Sequence, residues 1–432
     1  MLAGRSLPLV LSTSALFATW FGSETVFGAS SEFLKGGLYR VIEDPFGAAL
    51  CLILFGLFFA RKLYQMNLMT LGDFFKVRFG ARTELFASVF IVPSYIGYIA
   101  AQLVAMGLIL NIVTGMETWQ GVVISSLVVT FYTYVGGMWA ISITDFIQSI
   151  IIIAGLIVLA LVLSDKAGGV SVVWERMPAD SLRFFPPPDV YSILSWLAAW
   201  SVLGLGSIPS QDVFQRAMSS GSARTAVHSS LWAALLYLTV AMLPLFISLC
   251  TLQLYPEQLA GDTQLALPAM VLQHTPLMVQ ILFFGSLLSA IMSTTSSAIL
   301  APAAIFSENL VRPLAKNKLS DQQLLRITRY SVLAFASVAT AVACWRSNIY
   351  ELVGESSIFS LVSLFMPMVF GLYASWPNSW GAGLAMVTGF ASWIVLENMH
   401  TEIPPMLTAT SISLVGLVVG SLAKRWLRPV GA

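Results

Sequence analysis

The sequence predicts an all-α, polytopic membrane protein of about 12 transmembrane helices. Apolar residues make up 57% of the 432-residue chain, charged residues make up only 10%, and the mean hydropathy is +0.83. No soluble domain needs this much apolar surface. Apolar runs of about 20 residues, the length that a bilayer core requires, follow one another along the chain.

These runs leave only short connecting segments, so we interpret residues 1–432 as one transmembrane domain. A first repeat is predicted over about 8–164, a second over about 191–374, and additional helices over about 380–423. Most Lys and Arg residues fall in segments on the same side of the membrane as the N-terminus. Because basic residues accumulate on the cytoplasmic side and the number of spans is even, this favours a cytoplasmic C-terminus in a multi-pass protein of the inner (plasma) membrane. The predicted spans are 8–30, 45–60, 84–113, 117–135, 143–164, 191–212, 227–251, 276–306, 330–346, 350–374, 380–397 and 403–423.

Composition also limits the function. The net charge of +1 gives no reason to expect nucleic acid as a partner. The Cys and His residues are scattered without metal-ligand spacing. No nucleophile–base pair stands out either, so the sequence does not indicate an enzyme. The residues in question are Cys51, Cys250, Cys344, His228, His274 and His400.

The first span carries an interruption, Gly22-Ser23-Glu24. A carboxylate near the bilayer centre costs about 2.5–3.5 kcal/mol on insertion scales, so it normally faces a partner or a watery cavity. One interpretation is a broken helix whose freed carbonyls hold an ion, because irregular backbone at membrane depth is tolerated where it lines a cavity. The alternative is a continuous helix with one glutamate that faces a neighbour.

The sixth span carries a second interruption, at residues 204–209 (GLGSIP), five spans after the first. Because five is odd, a second unit of five helices enters the membrane upside down relative to the first unit. Interrupted segments at matching positions of two inverted halves indicate a transporter with its binding site near the midplane.

The eighth span concentrates hydroxyl residues between 288 and 297. On a helix, the carbonyl of Ala290 lies one turn below the hydroxyls of Ser293 and Thr294. With the carbonyls of Gly22 and Thr25 these groups would make a five-oxygen shell, and hard cations such as sodium prefer oxygen ligands. Alternatively, the hydroxyls bond back to their own helix, as is common in membrane helices.

Residues 136–148, GGMWAISITDFIQ, resemble the signature of the sodium:solute symporter family. Three further stretches agree in order, and the resemblance runs from residue 2 to about residue 375: 2–8 (LAGRSLP), 212–216 (DVFQR) and 292–294 (MST). The resemblance implies the LeuT-type five-plus-five inverted-repeat fold and solute uptake driven by sodium. Its sodium site maps onto the five residues chosen above. Asp145, the signature aspartate, is expected on the exit route of the ion, although a helix N-cap would also explain it.

Within the family, residues 18–20, 57–62 and 208–216 are most similar to the high-affinity choline transporter branch. That branch has an aromatic residue where this chain has Ser210. The family pattern also has a helix before the LAGRSLP segment, whereas Met1 falls beside that segment. We therefore expect the natural chain to begin further upstream.

The substrate is predicted to be a small amine-bearing solute, either choline-like or a zwitterionic amino acid. Aromatic faces attract cations, and Glu24 adds a negative charge. The alternative for the aromatic residues is ordinary helix packing. The predicted substrate-binding residues are Trp20, Glu24, Tyr98, Ser207, Ser210 and Gln211.

Two other transporter types compete with this interpretation. A proton-coupled transporter of the same fold would use a titratable group, for which Glu24 is the candidate near the ion site. A sodium symporter for a carboxylate or for a neutral metabolite is the second alternative, because the fold does not determine the substrate. A channel would need a continuous polar pore, which the sequence does not indicate. The oligomeric state is left open.

Overall fold

Helices make up the fold in the computed structural model, which describes residues 2–135, 138–254, 256, 261–315, 319–399 and 401–426. No strand forms among these residues, and the only β pairing in them is a single bridge between Leu7 and Ser220. The helices are α1 (Leu9–Trp20), α2 (Ala29–Gly36), α3 (Ala48–Leu54), α4 (Arg61–Gln65), α5 (Leu71–Phe79), α6 (Ala81–Thr114), α7 (Thr118–Val135), α8 (Met138–Lys166), α9 (Val170–Glu175), α10 (Val190–Gly206), α11 (Gln211–Met218), α12 (Ala223–Leu254), α13 (Ala266–His274), α14 (Leu277–Ile305), α15 (Arg312–Leu314), α16 (Asp321–Trp345), α17 (Ile349–Ser360), α18 (Met366–Tyr373), α19 (Ser379–Glu397) and α20 (Pro405–Trp426).

Short helical turns of other pitch connect several of these helices into longer runs. The wider π turns are Glu24–Gly28, Ile42–Gly47, Phe55–Ala60, Phe306–Val311 and Leu361–Phe365, and the tighter 3₁₀ turns are Ala3–Arg5, Gly37–Val41 and Thr263–Leu265. Within the described ranges, nine helical runs are long and apolar enough to cross a membrane, or ten if the bent pair α10 and α11 is one span.

Three of the 12 predicted spans are not among these nine runs: 8–30, 117–135 (which forms α7) and 191–212 (the bent pair α10 and α11). The predicted span 8–30 is divided, because α1 has only 12 residues and its continuation runs without a long break from Glu24 to Gln65. Gly37 marks the bend in that run, with a φ of 68°. A Cβ on Gly37 would lie 2.5 Å from the carbonyl oxygen of Ser181, so glycine allows the two segments to approach closely. The same carbonyl accepts a hydrogen bond from the Leu38 N–H at 2.8 Å.

The two broken helices lie inside the bundle. α1 packs against α8, α11, α12 and α14, while α10 packs against α3 and α17. α19 and α20 pack mainly on each other, outside this centre. The predicted repeats begin with α1 and α10, so both begin with a helix that ends at a break.

Candidate functional site

The break in the first helix lies in the protein interior. α1 ends at Trp20, Phe21 leaves the helical region with φ −85° and ψ 88°, and helical backbone resumes at Ser23, just before the π turn Glu24–Gly28. Gly22 favours a break because glycine is about 1 kcal/mol less favourable than alanine in a helix. A Cβ on Gly22 would lie 3.0 Å from Oε1 of Gln102, so glycine also lets this side chain approach the backbone.

Side chains of α6 bond the backbone groups that the break leaves without helical partners. Oε1 of Gln102 accepts a hydrogen bond from the Ser23 N–H at 3.2 Å, and its Nε2 donates to Oε2 of Glu24 at 2.8 Å. The hydroxyl of Tyr98 donates to the carbonyl of Thr19 at 2.8 Å. The break is therefore held in one geometry by specific partners.

The long helix α14 contacts the same break. The hydroxyl oxygen of Thr294 lies 2.9 Å from the carbonyl oxygen of Ala18 and 3.1 Å from that of Ala290. In an unbroken helix the Ala18 carbonyl would accept from Gly22, but α1 ends before that bond forms. The Ala18 carbonyl is thus left for a donor or a cation.

This contact differs from the predicted ion shell, in which Gly22 and Thr25 supply the carbonyls. The structure brings Thr294 to Ala18, one helical turn earlier, while the Thr25 hydroxyl lies 2.6 Å from Oη of Tyr237 on α12. The physical reason is that a helix leaves unpaired the carbonyls of its last turn, and that turn precedes the break.

Most of the hydroxyls in this part of α14 bond to other helices. Ser293 donates to Oδ1 of Asp145 at 2.5 Å, and Ser297 accepts from Arg216 at 2.8 Å. Thr295 bonds back to its own helix, at the Ile291 carbonyl (2.6 Å). Thr294 also does so, at the Ala290 carbonyl, in addition to its contact with Ala18. The stretch is a polar surface that faces α1, α8 and α11.

Asp145 forms a buried ion pair. Nη1 of Arg216 lies 2.8 Å from Oδ2 of Asp145, and the two side chains are only 2% and 1% exposed. Asp145 lies inside α8 and not at its N-cap. The structure buries Arg216 completely beside Asp145. Gly136 and Gly137 of the same signature lie outside the described residues.

The second break, at residues 207–210, separates α10 from α11 by a bend of 49°. A Cβ on Gly206 would collide with the carbonyl oxygen of Ser357. The hydroxyls of Ser207 and Ser357 lie 3.0 Å apart, and the Ser210 hydroxyl donates to the Ser207 carbonyl at 2.6 Å. Beyond the break, Asp212 accepts from Tyr95 at 2.8 Å.

A cavity of about 50 Å³ lies between the two breaks. No Lys or Arg lines it in the described part of the chain, and the indole Nε1 of Trp20 is buried there without a hydrogen-bond partner. The polar and aromatic groups that line it include Trp20, Glu24, Tyr95, Tyr98, Ser207, Ser210 and Asp212. This lining combines aromatic faces with two carboxyl groups.

Five of the six predicted substrate residues therefore line one cavity, and Gln211 does not. Oε1 of Gln211 accepts a hydrogen bond from the Leu71 N–H at 2.7 Å, so this side chain caps the start of α5. Asp212 is a lining residue that the sequence indicates only as part of the motif at 212–216. Its position two residues after Ser210 is the signal that could have identified it.

A bundle of apolar helices with two breaks around one buried cavity defines a membrane transporter. The chain belongs to the sodium:solute symporter family, whose model matches residues 1–389. It is a multi-pass membrane protein and a transporter, as predicted, and not an enzyme.

The chain is similar to curated transporters along most of its length. It is 28% identical over 424 residues to the human high affinity choline transporter 1, covering 94% of this chain and 72% of that protein. It is 28% identical over 373 residues to the osmoregulated proline transporter OpuE of Bacillus subtilis, covering 83% of this chain and 75% of the relative.

Solved structures confirm the fold class. A Na⁺-coupled sialic acid symporter in a substrate-bound, outward-open state matches with a TM-score of 0.81 at 18% identity, covering 99% of this chain and 91% of that chain. The matching structures are transporters of the LeuT fold, which confirms the predicted architecture.

Proposed function

We propose that this protein is a sodium-coupled symporter that imports a small amine-bearing solute, choline-like or a zwitterionic amino acid, by alternating access. The observation that carries the proposal is the cavity between the two breaks, where aromatic faces and carboxyl groups meet and no basic side chain lines the described surface. Family membership supports sodium as the coupling ion.

The sodium ion would be held between α1 and α14. The donor set consists of neutral oxygens, namely the carbonyls of Ala18 and Ala290 and the hydroxyls of Ser293 and Thr294, which suits a hard monovalent cation. We propose Ala18 in place of Gly22 and Thr25. The bound ion would supply a positive charge that holds the break of α1 against α14.

Asp145 would act next to this site. It accepts the hydrogen bond of Ser293 at 2.5 Å and is paired with Arg216. A change in the hydrogen bonding of Ser293 would therefore alter the surroundings of the ion pair between Asp145 and Arg216. We propose that Asp145 lies on the exit route of the ion and that Arg216 balances its charge when the ion leaves.

The cationic end of the substrate would lie against Trp20, close to Glu24. An indole face attracts a desolvated cation by about 2 kcal/mol. A substrate with a carboxylate and no amine would meet Glu24 and Asp212 and no compensating basic group among the described lining residues. The names of the choline and proline transporters that resemble this chain support the same class of substrate.

A proton-coupled transporter of the same fold is the second candidate. The observation that favours it is the burial of Glu24, which lines the cavity and is held by Gln102 at 2.8 Å. A proton on Glu24 could drive uptake in place of sodium.

Uptake into proteoliposomes tests the proposal. Labelled choline, proline, other amino acids, acetate and pyruvate are offered under an inward sodium gradient, an equal potassium gradient, or a proton gradient. We expect uptake of an amine-bearing solute with sodium alone. Uptake driven by protons without sodium, or sodium-driven uptake of acetate or pyruvate alone, would contradict the proposal.

A further inference from the structure

A second group of buried oxygens lies where the chain just after the break in α1 meets α12. Its centre is Asp44, which is 1% exposed. The backbone of Asp44 is extended, with φ −139° and ψ 122°, so it interrupts the helical turn Ile42–Gly47 and directs the carboxyl group into the protein.

Hydroxyl and carbonyl oxygens surround this carboxyl group. Tyr237 donates a hydrogen bond to Oδ1 of Asp44, and the Tyr237 hydroxyl lies 2.6 Å from that of Thr25. The Thr25 hydroxyl in turn lies 3.5 Å from the carbonyl of Trp20, one of the carbonyls that the break frees. Asp44, Tyr237, Thr25 and Trp20 thus form one connected set of oxygens.

One oxygen of this set lacks a hydrogen-bond partner within the described ranges. Oδ2 of Asp44 is buried and has no hydrogen-bond partner among the described residues. None of the ion pairs found among them involves Asp44 or its neighbour Glu24. A buried carboxylate without a counter-charge is strongly unfavourable, so it requires a cation or a proton.

Rigid neighbours fix the position of the oxygens. The ring of Tyr237 is in edge contact with three aromatic rings of the α1 break, with centroid distances of 6.4 Å to Phe17, 6.5 Å to Trp20 and 6.2 Å to Phe21. These contacts hold the phenol against Asp44 and Thr25. Preorganised oxygens of this kind are what a cation site requires.

We propose that Asp44, Thr25, Tyr237 and the Trp20 carbonyl form a second sodium site, separate from the site at Ala18 and Thr294. One carboxylate with three neutral oxygens matches the charge of a monovalent ion. No cluster of three or more acidic, His or Cys ligands that would suit a divalent metal occurs among the described residues. The site rests on the proposed sodium coupling and adds a second ion to it.

The site also has a link to the substrate cavity. Glu24, which lines that cavity, begins the turn that contains Thr25 and interacts electrostatically with Asp44. An ion at Asp44 would lower the negative potential around Glu24. The second ion would therefore alter how strongly the cavity attracts a cationic substrate.

Equilibrium binding of ²²Na⁺ to the purified full chain tests the proposal without a substrate. We expect two sodium ions per wild-type chain, and one ion for Asp44→Asn, which keeps the acceptor for Tyr237 and loses the charge. Thr294→Val should remove the other ion. Asp165→Asn, the same change at an exposed position of α8, should leave two.

The outcomes separate the two claims. One ion in the wild-type chain, lost in Thr294→Val and kept in Asp44→Asn, overturns the second site and leaves sodium coupling intact. No saturable sodium binding at all overturns the sodium coupling itself. If Asp44→Asn does not fold, Thr25→Val should still reduce the count from two to one, and an unchanged count in that variant contradicts the proposal.

Discussion

Two buried aspartates, Asp145 and Asp44, lie near the break after α1 in different surroundings. Asp145 has an internal counter-charge, Arg216, at 2.8 Å, and it accepts a second bond from Ser293. Asp44 accepts a hydrogen bond from Tyr237 and forms no ion pair among the described residues, and one of its oxygens is unbonded. The protein itself supplies the positive charge that balances Asp145, whereas a bound cation would have to supply the charge that balances Asp44.

This difference separates a carboxylate whose charge is balanced inside the protein from one that needs a bound cation. An ion pair that is complete within the protein stabilises one arrangement of the helices, and removing one partner leaves a buried charge behind. A carboxylate without an internal partner is costly until a cation arrives, so its burial is consistent with a binding role. Substitutions at the two positions should therefore have opposite effects on stability.

The largest effect is expected for Arg216→Met. The substitution leaves Asp145 buried and unpaired, which costs about 3–5 kcal/mol. Thermal unfolding of the purified protein should shift to a much lower temperature. The double variant Asp145→Asn, Arg216→Met should recover part of the loss, because it removes both charges. Equal stability of the single and double variants would show that the unpaired charge of Asp145 does not destabilise the protein.

The opposite sign is expected for Asp44→Asn. In sodium-free buffer near pH 8 this variant should be more stable than the wild type by roughly 1–3 kcal/mol, the cost of a buried group left unsatisfied. The measurement is thermal unfolding with and without sodium, with Asp165→Asn as the control. A large loss of stability without sodium would mean that Asp44 already has an internal partner.

A smaller and more specific effect is expected for Trp20→Ala. Loss of a cation–π contact of about 2 kcal/mol predicts roughly 30-fold weaker substrate affinity, with nearly unchanged sodium affinity at the site of Ala18 and Thr294. Trp200 offers a matched control, because its ring packs among Phe46, Phe184 and Trp196. Equal effects of Trp20→Ala and Trp200→Ala on the affinity would assign Trp20 to packing.

The smallest effect is expected for Tyr98→Phe, which removes the hydrogen bond to the Thr19 carbonyl. One such bond contributes about 0.5–1.5 kcal/mol, so unfolding should shift by a few degrees and uptake should persist. Abolished uptake with unchanged stability would instead indicate that this hydroxyl binds the substrate directly.

The sequence predicted the fold and both breaks, because these depend on local features. Long apolar runs determine the spans, and Gly22 and Gly206 allow close approach where the helices break. Residues beside the breaks, such as Trp20 and Ser207, were therefore assigned correctly to one cavity. The contact of Thr294 with the Ala18 carbonyl was not predicted, because Ala18 is an unremarkable helical residue until the end of α1 is known.

Partners that are distant in sequence could not be predicted in the same way. Arg216 lies 71 residues from Asp145, and its motif gave no sign that it is buried. Tyr237 lies 193 residues from Asp44 inside an apolar span, where a tyrosine is unexceptional. Only the packing of α8 and α11 on α14, and of the turn Ile42–Gly47 on α12, brings such groups together.

The central claim is a sodium site made by Thr294 and the Ala18 carbonyl, and a sodium titration of thermal stability tests it directly. Thr294→Val and Thr295→Val remove neighbouring hydroxyls, but only the first reaches α1, since Thr295 bonds to its own helix. Binding to the folded state raises stability by about 2.7 kcal/mol at 100 times the dissociation constant. In an Asp44→Asn background, we predict that Thr294→Val raises at least tenfold the sodium concentration that gives half of the stability increase. Thr295→Val should need the same sodium concentration as the Asp44→Asn protein. Equal shifts in both variants, or potassium acting as well as sodium, would contradict the account.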